Sequence, residues 1–515
     1  MRTHKYFAIV AMMMAIITTS CTKTTVTTVA NPILPSDFSD PDVIRVGNKY
    51  YMTCSEFHYM GMPIMESEDL INWRVITQIY DSIPLPGYSE MERYGQGTWA
   101  PSLRYHDGKF WIFVCTPYDG LFMTNAERPE GPWSPLHCVK KVERWEDPCP
   151  FWDEDGQAYL GHSLHGAGPI IVHKMASDGS RLLDDGVVVY TGPVAEGTKF
   201  HKINGWYYLS IPEGGVGTGW QMALRSKSIY GPYEGHRVLE QGATAINGPH
   251  QGALVDTPDG QWWFFHFQDT HPLGRIVHLQ PVVWHDDFPV IGEDYDGNSV
   301  GEPMPSITLP VAPLTARQKR KSSWIGQPVT TFTDLQWQWN HNPHLDHVNI
   351  TRRTLTLHPL PAGQVREASN QYTLKTYGRH NQTSVRLSTS DMQPGERAGL
   401  ECLGRHFQAI GVEMKADAPQ PVPYIYTETD GTVTYHEPLQ GNTITLQLQM
   451  DCENNTHQFA YAKGKATPQP CGEPFQQHSG DWKGARIGLY AYRTSEGPSS
   501  PGHATFTHFT YHPEK

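Results

Sequence analysis

The sequence predicts an all-β chain, a five-bladed β-propeller followed by a β-sandwich. A unit of an apolar strand, a Gly-centred turn and an aromatic-led strand recurs five times between residues 40 and 270, at intervals of 48 to 61 residues. Such intervals suit four-stranded propeller blades. The composition of 15 Trp, 25 Tyr and 18 Phe with 47 Gly and 41 Pro favours strands and turns, and helical periodicity is scarce. The five turns lie at Gly47, Gly108, Gly156, Gly205 and Gly260.

Residues 1–21 are predicted to be a secretory leader. Arg2 and Lys5 precede an apolar stretch of about 12 residues, short of the roughly 20 needed to cross a bilayer. The stretch ends in Thr18-Thr19-Ser20-Cys21, which resembles a bacterial lipobox with Cys21 as the lipidated residue. Ordinary cleavage near the same place is the alternative. We therefore expect an exported chain, an outer-membrane or periplasmic bacterial lipoprotein that contacts the membrane only through Cys21.

Length and charge narrow the class of protein. A chain of 515 residues is too long for one core and implies two domains. The net charge of −13 argues against nucleic acid as a partner, because phosphates require stripes of Lys and Arg. The seven cysteines after the leader lack metal-ligand spacing and are interpreted as small apolar residues, with a Cys452–Cys471 pair left open.

The two domains divide near residue 315. We predict a propeller over residues 30–315, which ends in the Pro-rich stretch 303–313. A short basic run over 317–321 follows, and alternating strands such as Thr443–Leu448 and Arg486–Tyr490 then predict a sandwich over 325–515.

Three acids stand at equivalent places in three blades. Asp40-Pro41 precedes the first blade, Asp147-Pro148 opens the third, and Glu196-Gly197 opens the fourth. Because the inner strands of a propeller line one axis, these carboxylates are expected to converge, and like charges then raise the pKa of at least one of them. Glycoside hydrolysis uses one protonated and one ionised carboxyl group. For Asp40 alone, Asp37 and Asp42 are rival candidates, as solvated turn residues.

Four further residues are candidates for substrate contact. His250 opens the fifth blade and could orient an acid, bind a cation at the axis or serve structure alone. Arg275 is a charge among apolar residues, so it either pairs with the acid cluster or faces solvent at an edge. Phe57 and Trp99 stand near blade openings, where they could stack on a sugar or pack in the core.

Together these residues resemble glycoside hydrolase family 43. The matching segments are Asn31–Pro35, Asp40-Pro41, Ser67–Trp73, Trp99–Pro101, Asp147-Pro148, Glu196-Gly197, Ser228–Tyr233 and Gly274-Arg275. The resemblance implies that Asp40 is the general base that activates water and Glu196 the general acid. It implies that Asp147 tunes and holds Glu196.

By the same resemblance His250 and Arg275 lie near the reacting sugar, while Phe57 and Trp99 line the pocket. The tail, with Trp337–Pro343, resembles the C-terminal concanavalin-like sandwich of β-xylosidase and α-L-arabinofuranosidase members, which packs beside the pocket. Gly274-Arg275 continues as Ile-Val here and departs from the commoner Glu-Thr of the xylosidases. The departure slightly favours arabinofuranose.

These observations predict an inverting exo-glycosidase that releases terminal α-L-arabinofuranose or β-D-xylose from plant cell-wall polysaccharides or oligosaccharides. An endo-acting arabinanase and a non-catalytic carbohydrate-binding propeller are the alternatives. No cofactor is expected to be required; a structural calcium on the propeller axis near His250 is left open.

Overall fold

The computed structural model describes residues 25–89, 91–311, 321–416, 420–494 and 502–514, together with 315 and 318. The predicted leader, including Cys21, lies outside the described residues. Within these ranges the chain forms five four-stranded antiparallel sheets, a two-stranded sheet and two large sheets that face each other. The predicted all-β architecture of a five-bladed propeller and a β-sandwich is confirmed.

Each blade is built from four consecutive strands. Strand β1 (Thr25–Ala30) precedes them. Blade one holds β2 (Asp42–Val46), β3 (Lys49–Thr53), β4 (Pro63–Ser67) and β5 (Arg74–Gln78). Blade two holds β6 (Trp99–His106), β7 (Lys109–Thr116), β8 (Gly120–Ala126) and β9 (His137–Lys140). Blade three holds β10 (Trp145–Trp152), β11 (Ala158–Leu164), β12 (Ile170–Met175) and β13 (Val187–Tyr190).

Blade four holds β14 (Lys199–Ile203), β15 (Trp206–Glu213), β16 (Trp220–Ser226) and β17 (Glu234–Leu239). Blade five holds β18 (His250–Asp256), β19 (Trp262–Thr270), β20 (Gly274–His285) and β21 (Phe288–Ile291). The first strands of the blades line the axis, since β2 contacts β6 and β18, and β10 contacts β6 and β14. Strand β22 (Ser306–Val311) pairs with β1 and so joins the two ends of the propeller outside the blades.

The five predicted turn glycines all adopt positive φ, between 63° and 85°. A Cβ at any of them would meet no atom within 4 Å, so the requirement for glycine is conformational rather than steric. Asp107 and Asn204, each just before such a glycine, also have positive φ, as type I′ hairpin turns require. The local turn chemistry therefore sets the register of the first hairpin in these blades.

The sandwich is made of two sheets. The first is ordered β23 (Gln338–Asn340), β27 (Gln371–Lys375), β36 (Arg486–Arg493), β29 (Glu396–Leu403), β30 (Gln408–Lys415), β31 (Val422–Thr429) and β32 (Thr432–Pro438), with β26 (Leu360–Pro361) beside β36. The second is ordered β24 (Val348–Ile350), β25 (Thr354–Leu357), β37 (Ala504–Glu514), β28 (His380–Ser388), β33 (Thr443–Asp451), β34 (Thr456–Lys463) and β35 (Gln469–Gln476). Two 3₁₀ turns, Leu345–His347 and Val365–Glu367, lie in the connections.

Propeller and sandwich share a continuous core. Met60, Ile83 and Tyr88 of the propeller loops belong to the same apolar cluster as the residues between the two sandwich sheets. Asn342 of the sandwich exchanges two hydrogen bonds of 2.9 Å with the backbone of Ile83. The two domains therefore meet through a packed interface at the end of the propeller that carries the strand starts.

All seven described cysteines are free, including Cys452 and Cys471, which were left open as a pair. Six are buried, as expected for small apolar residues, but Cys138 on the outer strand of blade two is exposed. Within the described ranges no helix has the length and apolar character needed to span a membrane.

Candidate active site

A cavity of about 260 Å³ lies at the propeller mouth beneath the sandwich. Side chains from all five blades and from one turn of the sandwich line this cavity. The lining residues are Asp40, Phe57, Trp99, Ala100, Glu146, Asp147, His165, Gly166, Ala167, Val194, Glu196, Val216, Gln251, Arg275 and Trp482. Six of the seven residues predicted from sequence are therefore brought together here.

The inner strands share a local irregularity at this mouth. The pairing register shifts between Trp99 and Ser102, between Glu146 and Cys149, and between His250 and Gly252. The residues inside these shifts, Ala100, Asp147 and Gln251, have positive φ of 38°, 55° and 32°. A bulge with left-handed backbone costs about 1–3 kcal/mol and turns a side chain away from the regular alternation. Three blades thus contain the same kind of bulge, which directs residues toward the propeller axis.

Asp40 lies on the side of the cavity that carries positive charge. Its backbone has φ of 53°, and its carboxylate accepts a 2.5 Å hydrogen bond from Ser55 Oγ. Arg275 Nη1 lies 3.1 Å from Asp40 Oδ1 and 3.4 Å from Oδ2. Arg275 is only 7% exposed and stacks over Phe267 at 4.7 Å. Arg275 therefore pairs with an acid of the cluster and does not face solvent.

The two rival candidates for Asp40 are not solvated. Asp42 is buried and bonded to Arg104 at 2.7 Å, with Lys199 at 3.7 Å. Asp37 is buried and lies 2.9 Å from Lys483 of the sandwich. Both are internal ion-pair residues, so their interpretation as solvated turn residues is wrong.

The opposite side of the cavity carries three acids. Glu146, Asp147 and Glu196 each place a carboxylate oxygen within 4.8 Å of the others. Asp147 Oδ2 accepts a 2.6 Å hydrogen bond from the Gly197 N–H. Burial and then the Glu196 carboxylate raise the pKa of Asp147 to about 7. Burial, followed by the charges of Asp147 and Glu196, raises the pKa of Glu146 to about 10. This side of the cavity therefore holds protons at neutral pH.

His250 lies behind Glu196 rather than in the cavity. Its ring is fully buried, and a 2.7 Å hydrogen bond joins its Nε2 to Glu196 Oε1. Its prediction as a substrate-binding residue is therefore corrected: the strand start at β18 turns the ring toward the neighbouring blade. In this position it orients the Glu196 carboxyl.

Aromatic rings form the wall of the cavity. Phe57 and Trp99 meet edge to face with centroids 5.4 Å apart, and Trp99 meets His165 at 5.1 Å and Trp482 at 6.2 Å. Trp482 is 56% exposed, unusually so for a Trp that neighbours a cavity. An open indole face next to paired carboxyls suits the apolar face of a sugar ring.

Sequence reasoning missed Glu146, Ser55, His165 and Trp482. Neighbours in a regular strand point to opposite faces, so a sequence pattern that selects Asp147 does not select Glu146, and the bulge beside them allows both to share the cavity. Trp482 comes from the other domain, where no nearby motif marks it.

The structural calcium left open on the axis near His250 stays a prediction. Calcium takes six to eight oxygen ligands, and of the two ring nitrogens of His250, Nε2 is bonded to Glu196. Farther along the axis, Asp42 is already neutralised by Arg104 and Lys199. Among the described residues, the grouped potential ligands are Glu146, Asp147 and Glu196, without His250.

Two family models match the chain. Residues 29–289 match the model described as glycosyl hydrolases family 43. Residues 330–512 match the model described as beta xylosidase C-terminal concanavalin A-like domain.

Named relatives agree with these matches. The chain is 50% identical over 452 residues to a putative beta-xylosidase of Xylanibacter ruminicola, covering 87% of this chain and 84% of the relative. It is 32% identical to a beta-xylosidase of Formosa agariphila, covering 94% and 90%. A non-reducing end alpha-L-arabinofuranosidase of Bacteroides ovatus is 30% identical over 63% of this chain and 64% of its own length.

Solved structures share the whole architecture. A bifunctional GH43-CE protein of Bacteroides eggerthii superposes with a TM-score of 0.81 at 26% identity, over 95% of this chain and 64% of that protein. An engineered GH43 glycoside hydrolase superposes with a TM-score of 0.82 at 23% identity, over 95% of this chain and all of that one. The latter likeness concerns the fold.

Proposed function

This chain belongs to glycosyl hydrolases family 43 and is a glycosidase, and from that premise we propose that it is an inverting exo-enzyme that releases terminal β-D-xylose from plant cell-wall fragments. One observation carries the mechanism. A carboxylate paired with a guanidinium faces a group of proton-holding acids across a small cavity. Inverting hydrolysis requires one ionised and one protonated carboxyl on opposite sides of the scissile bond.

Asp40 is proposed as the general base. Arg275 and Ser55 hold its carboxylate by hydrogen bonds and orient it to accept a proton from water. A positioned base typically contributes about 10²–10⁴-fold to the rate.

Glu196 is proposed as the general acid. His250 fixes its orientation from behind, and Asp147 and Glu146 crowd it with groups that hold protons near neutrality. The donor to the leaving oxygen must carry a proton, and Asp147 and Glu146 hold protons next to it. Asp147 would then tune and hold Glu196, as the sequence resemblance implies.

The cavity supports exo action. Its volume of about 260 Å³ lies below the roughly 300–1,000 Å³ usual for ligand pockets, and Trp482 borders it from the sandwich side. A polysaccharide cut internally needs a groove open at both ends. Removal of one terminal sugar needs only a small pocket, and the arabinanase alternative is accordingly less favoured.

The relatives favour xylose over arabinose. Of four relatives matched over 84% or more of their length, three carry β-xylosidase names and one, of Humicola insolens, is named xylosidase/arabinosidase. The relative named as an arabinofuranosidase matches over less of both chains. We therefore propose β-D-xyloside as the main substrate and α-L-arabinofuranoside as the second, which reverses the slight preference drawn from the residues after Arg275.

The purified chain tests this directly. We expect release of 4-nitrophenol from 4-nitrophenyl β-D-xyloside, slower release from the α-L-arabinofuranoside, and single sugars as the only products from xylo-oligosaccharides. Proton NMR of the first product should show α-xylose, the inverted anomer. Oligosaccharide products from linear arabinan would favour the arabinanase, and sugar binding without hydrolysis would favour the carbohydrate-binding propeller.

We further propose that the chain is exported and carries a lipid on Cys21. The support is the apolar stretch that ends in Thr18-Thr19-Ser20-Cys21. Expression in a bacterial host with Cys21→Ser as control tests it, since the unchanged chain should partition with membranes and the variant with the soluble fraction. Equal partitioning would contradict the lipid anchor.

A further inference from the structure

We propose that Lys483 of the sandwich is a positioning residue for Asp40, so that the second domain completes the catalytic site rather than merely neighbouring it. The inference rests on the proposed role of Asp40 as general base. Lys483 belongs to the turn before β36, more than 400 residues after Asp40 in the chain.

Lys483 is inserted into the propeller. Its side chain is fully buried, and Nζ donates a 2.9 Å hydrogen bond to the Ser55 carbonyl oxygen. The same Nζ lies 2.9 Å from Asp37 Oδ2 and 3.6 Å from Glu56 Oε2. All three partners belong to the propeller, in the two loops that flank Asp40 in space.

The first route from Lys483 to Asp40 passes through Ser55. Lys483 holds the Ser55 carbonyl oxygen, while Ser55 Oγ donates to Asp40 Oδ2 at 2.5 Å and accepts from the Ala100 N–H at 2.6 Å. A shift of the Ser55 backbone would therefore move the hydroxyl that orients the Asp40 carboxylate.

The second route passes through Asp37. Asp37 Oδ2 pairs with Lys483, and Asp37 Oδ1 accepts a 3.1 Å hydrogen bond from the Arg275 N–H. Arg275 in turn places Nη1 3.1 Å from Asp40 Oδ1. Lys483 thus contacts Ser55, which is one hydrogen-bond donor to Asp40. It also contacts Asp37, which binds the other donor, Arg275.

Three cations and two carboxylates meet around this lysine. Glu56 is fully buried and contacts Lys375 at 2.8 Å, Arg486 at 2.9 Å and Lys483. Burial opposes its ionisation, but the three cations lower the pKa of Glu56 to about 2. Burial likewise disfavours the charge of Lys483, yet Asp37 and Glu56 raise its pKa. The group therefore stays ionised at neutral pH, with all three cations supplied by the sandwich.

Two glycines let the domains approach closely enough. A Cβ on Gly484 would lie 2.5 Å from the Leu273 carbonyl oxygen, and a Cβ on Gly274 would lie 2.5 Å from the Gly484 N. Gly484 follows Lys483 and Gly274 precedes Arg275, so a close backbone contact between the domains lies next to both cations. A side chain at either glycine would clash with the backbone of the other domain.

The experiment compares Lys483→Met with Arg486→Gln, on whichever glycoside the unchanged enzyme cleaves. Both changes remove one buried cation beside Glu56, but Arg486 touches neither Ser55 nor Asp37 in its hydrogen bonds, which go to Gln338 and Glu56. We expect Lys483→Met to lose about 10- to 100-fold in kcat with KM within about threefold, because misplaced reacting groups cost turnover. The acidic limb of its pH profile should move to higher pH. Arg486→Gln should keep kcat within about threefold.

Two further variants cover the case in which Lys483→Met does not fold. Ser55→Ala breaks the first route without removing a charge and should lower kcat in the same direction. Asp37→Asn with Lys483→Met removes both members of the buried pair, which is less damaging than leaving one charge alone. It should fold and should remain deficient in kcat.

Crystal structures of Lys483→Met and Arg486→Gln give a readout independent of turnover. A displaced Asp40 carboxylate in the first and an undisturbed one in the second support the proposal. Equal kcat losses in the two variants, or an Asp40 that stays in place without Lys483, would overturn it. An unchanged enzyme that cleaves no glycoside would instead refute the proposed function, and the crystal structures would still decide on Lys483.

Discussion

The two sides of the cavity contain the same type of residue in opposite surroundings. Asp40 faces a guanidinium and a hydroxyl, and cations from the sandwich stand behind its loops. Glu196 faces Asp147 and Glu146, and its close partner from behind is the ring of His250. One side contains positive charge, and the other contains buried acids.

The difference shows how a fold assigns different tasks to equal side chains. A cation beside a carboxylate stabilises the ionised form, while burial and a second acid stabilise the protonated form. The domain interface supplies the first environment and the bulged inner strands supply the second. Breaking either environment should therefore damage one side of the reaction and spare the other.

The largest effect is expected from removing the reacting groups themselves. Asp40→Asn and Glu196→Gln should each lower kcat by about 10²–10⁴-fold, since neither amide can exchange the proton that the reaction moves. Glu196→Gln should change the melting temperature little, because it keeps the volume of the side chain, while Asp40→Asn leaves the buried Arg275 without its carboxylate and should lower it. Initial rates and thermal melts measure the two effects. Near-normal turnover in either variant would contradict the assignment.

Asp147→Asn should have the next largest effect and should distinguish the two sides. Above pH 7 Asp147 is mostly ionised, because its pKa is about 7. Its replacement by Asn therefore makes the remaining acids of the group easier to ionise, and the alkaline limb of the kcat profile should move to lower pH. We expect about 10- to 100-fold lower kcat at neutral pH, with the acidic limb in place. A pH–rate profile measures this, and an unshifted alkaline limb would argue against a tuning role.

Glu146→Gln should stabilise the protein in a pH-dependent way. The pKa of Glu146 is about 10 in the folded chain against an ordinary 4.5, so the folded state binds the extra proton and stability falls as pH rises between these values. At about 1.4 kcal/mol per unit, holding that proton at pH 7 costs on the order of 3 kcal/mol. Glutamine does not titrate, and its advantage should grow with pH and vanish near pH 4.

Thermal melts of both proteins between pH 4 and pH 8 measure this difference. The corresponding sandwich change Glu401→Gln is the control, since Glu401 is also buried with a raised pKa but lies outside the cavity. If Glu146→Gln lowers kcat as much as Glu196→Gln does, Glu146 acts in the reaction as an anion.

The smallest effect is expected from chelation. Because Arg275 already supplies the positive charge at Asp40, and Asp42 on the axis is neutralised by Arg104 and Lys199, dialysis against EDTA should leave activity and melting temperature unchanged. Atomic emission analysis of the dialysed protein checks that no ion was retained. If dialysis against EDTA lowers the activity and calcium restores it, the explanation that protein cations alone balance these carboxylates is wrong.

The predictable part of the site follows from local repetition. The turn at Gly108 needs only its own residues, and the equivalence of Asp40, Asp147 and Glu196 follows once the blades are counted. Glu146 could not be predicted in this way, because it enters the cavity only through a break in strand alternation. Trp482 and Lys483 could not either, since their place depends on how two domains dock across more than 400 residues.

The sandwich is closed by the last strand of the chain. Strand β37 lies between β25 and β28, whereas every blade consists of consecutive strands. During synthesis the blades can therefore form in order, but the second sheet of the sandwich is complete only once β37 has been made. A chain that lacks β37 would possess every acid of the site and lack a firmly seated Lys483. Hydrolytic activity is therefore expected only once β37 is in place, and proteolytic removal of β37 should abolish it.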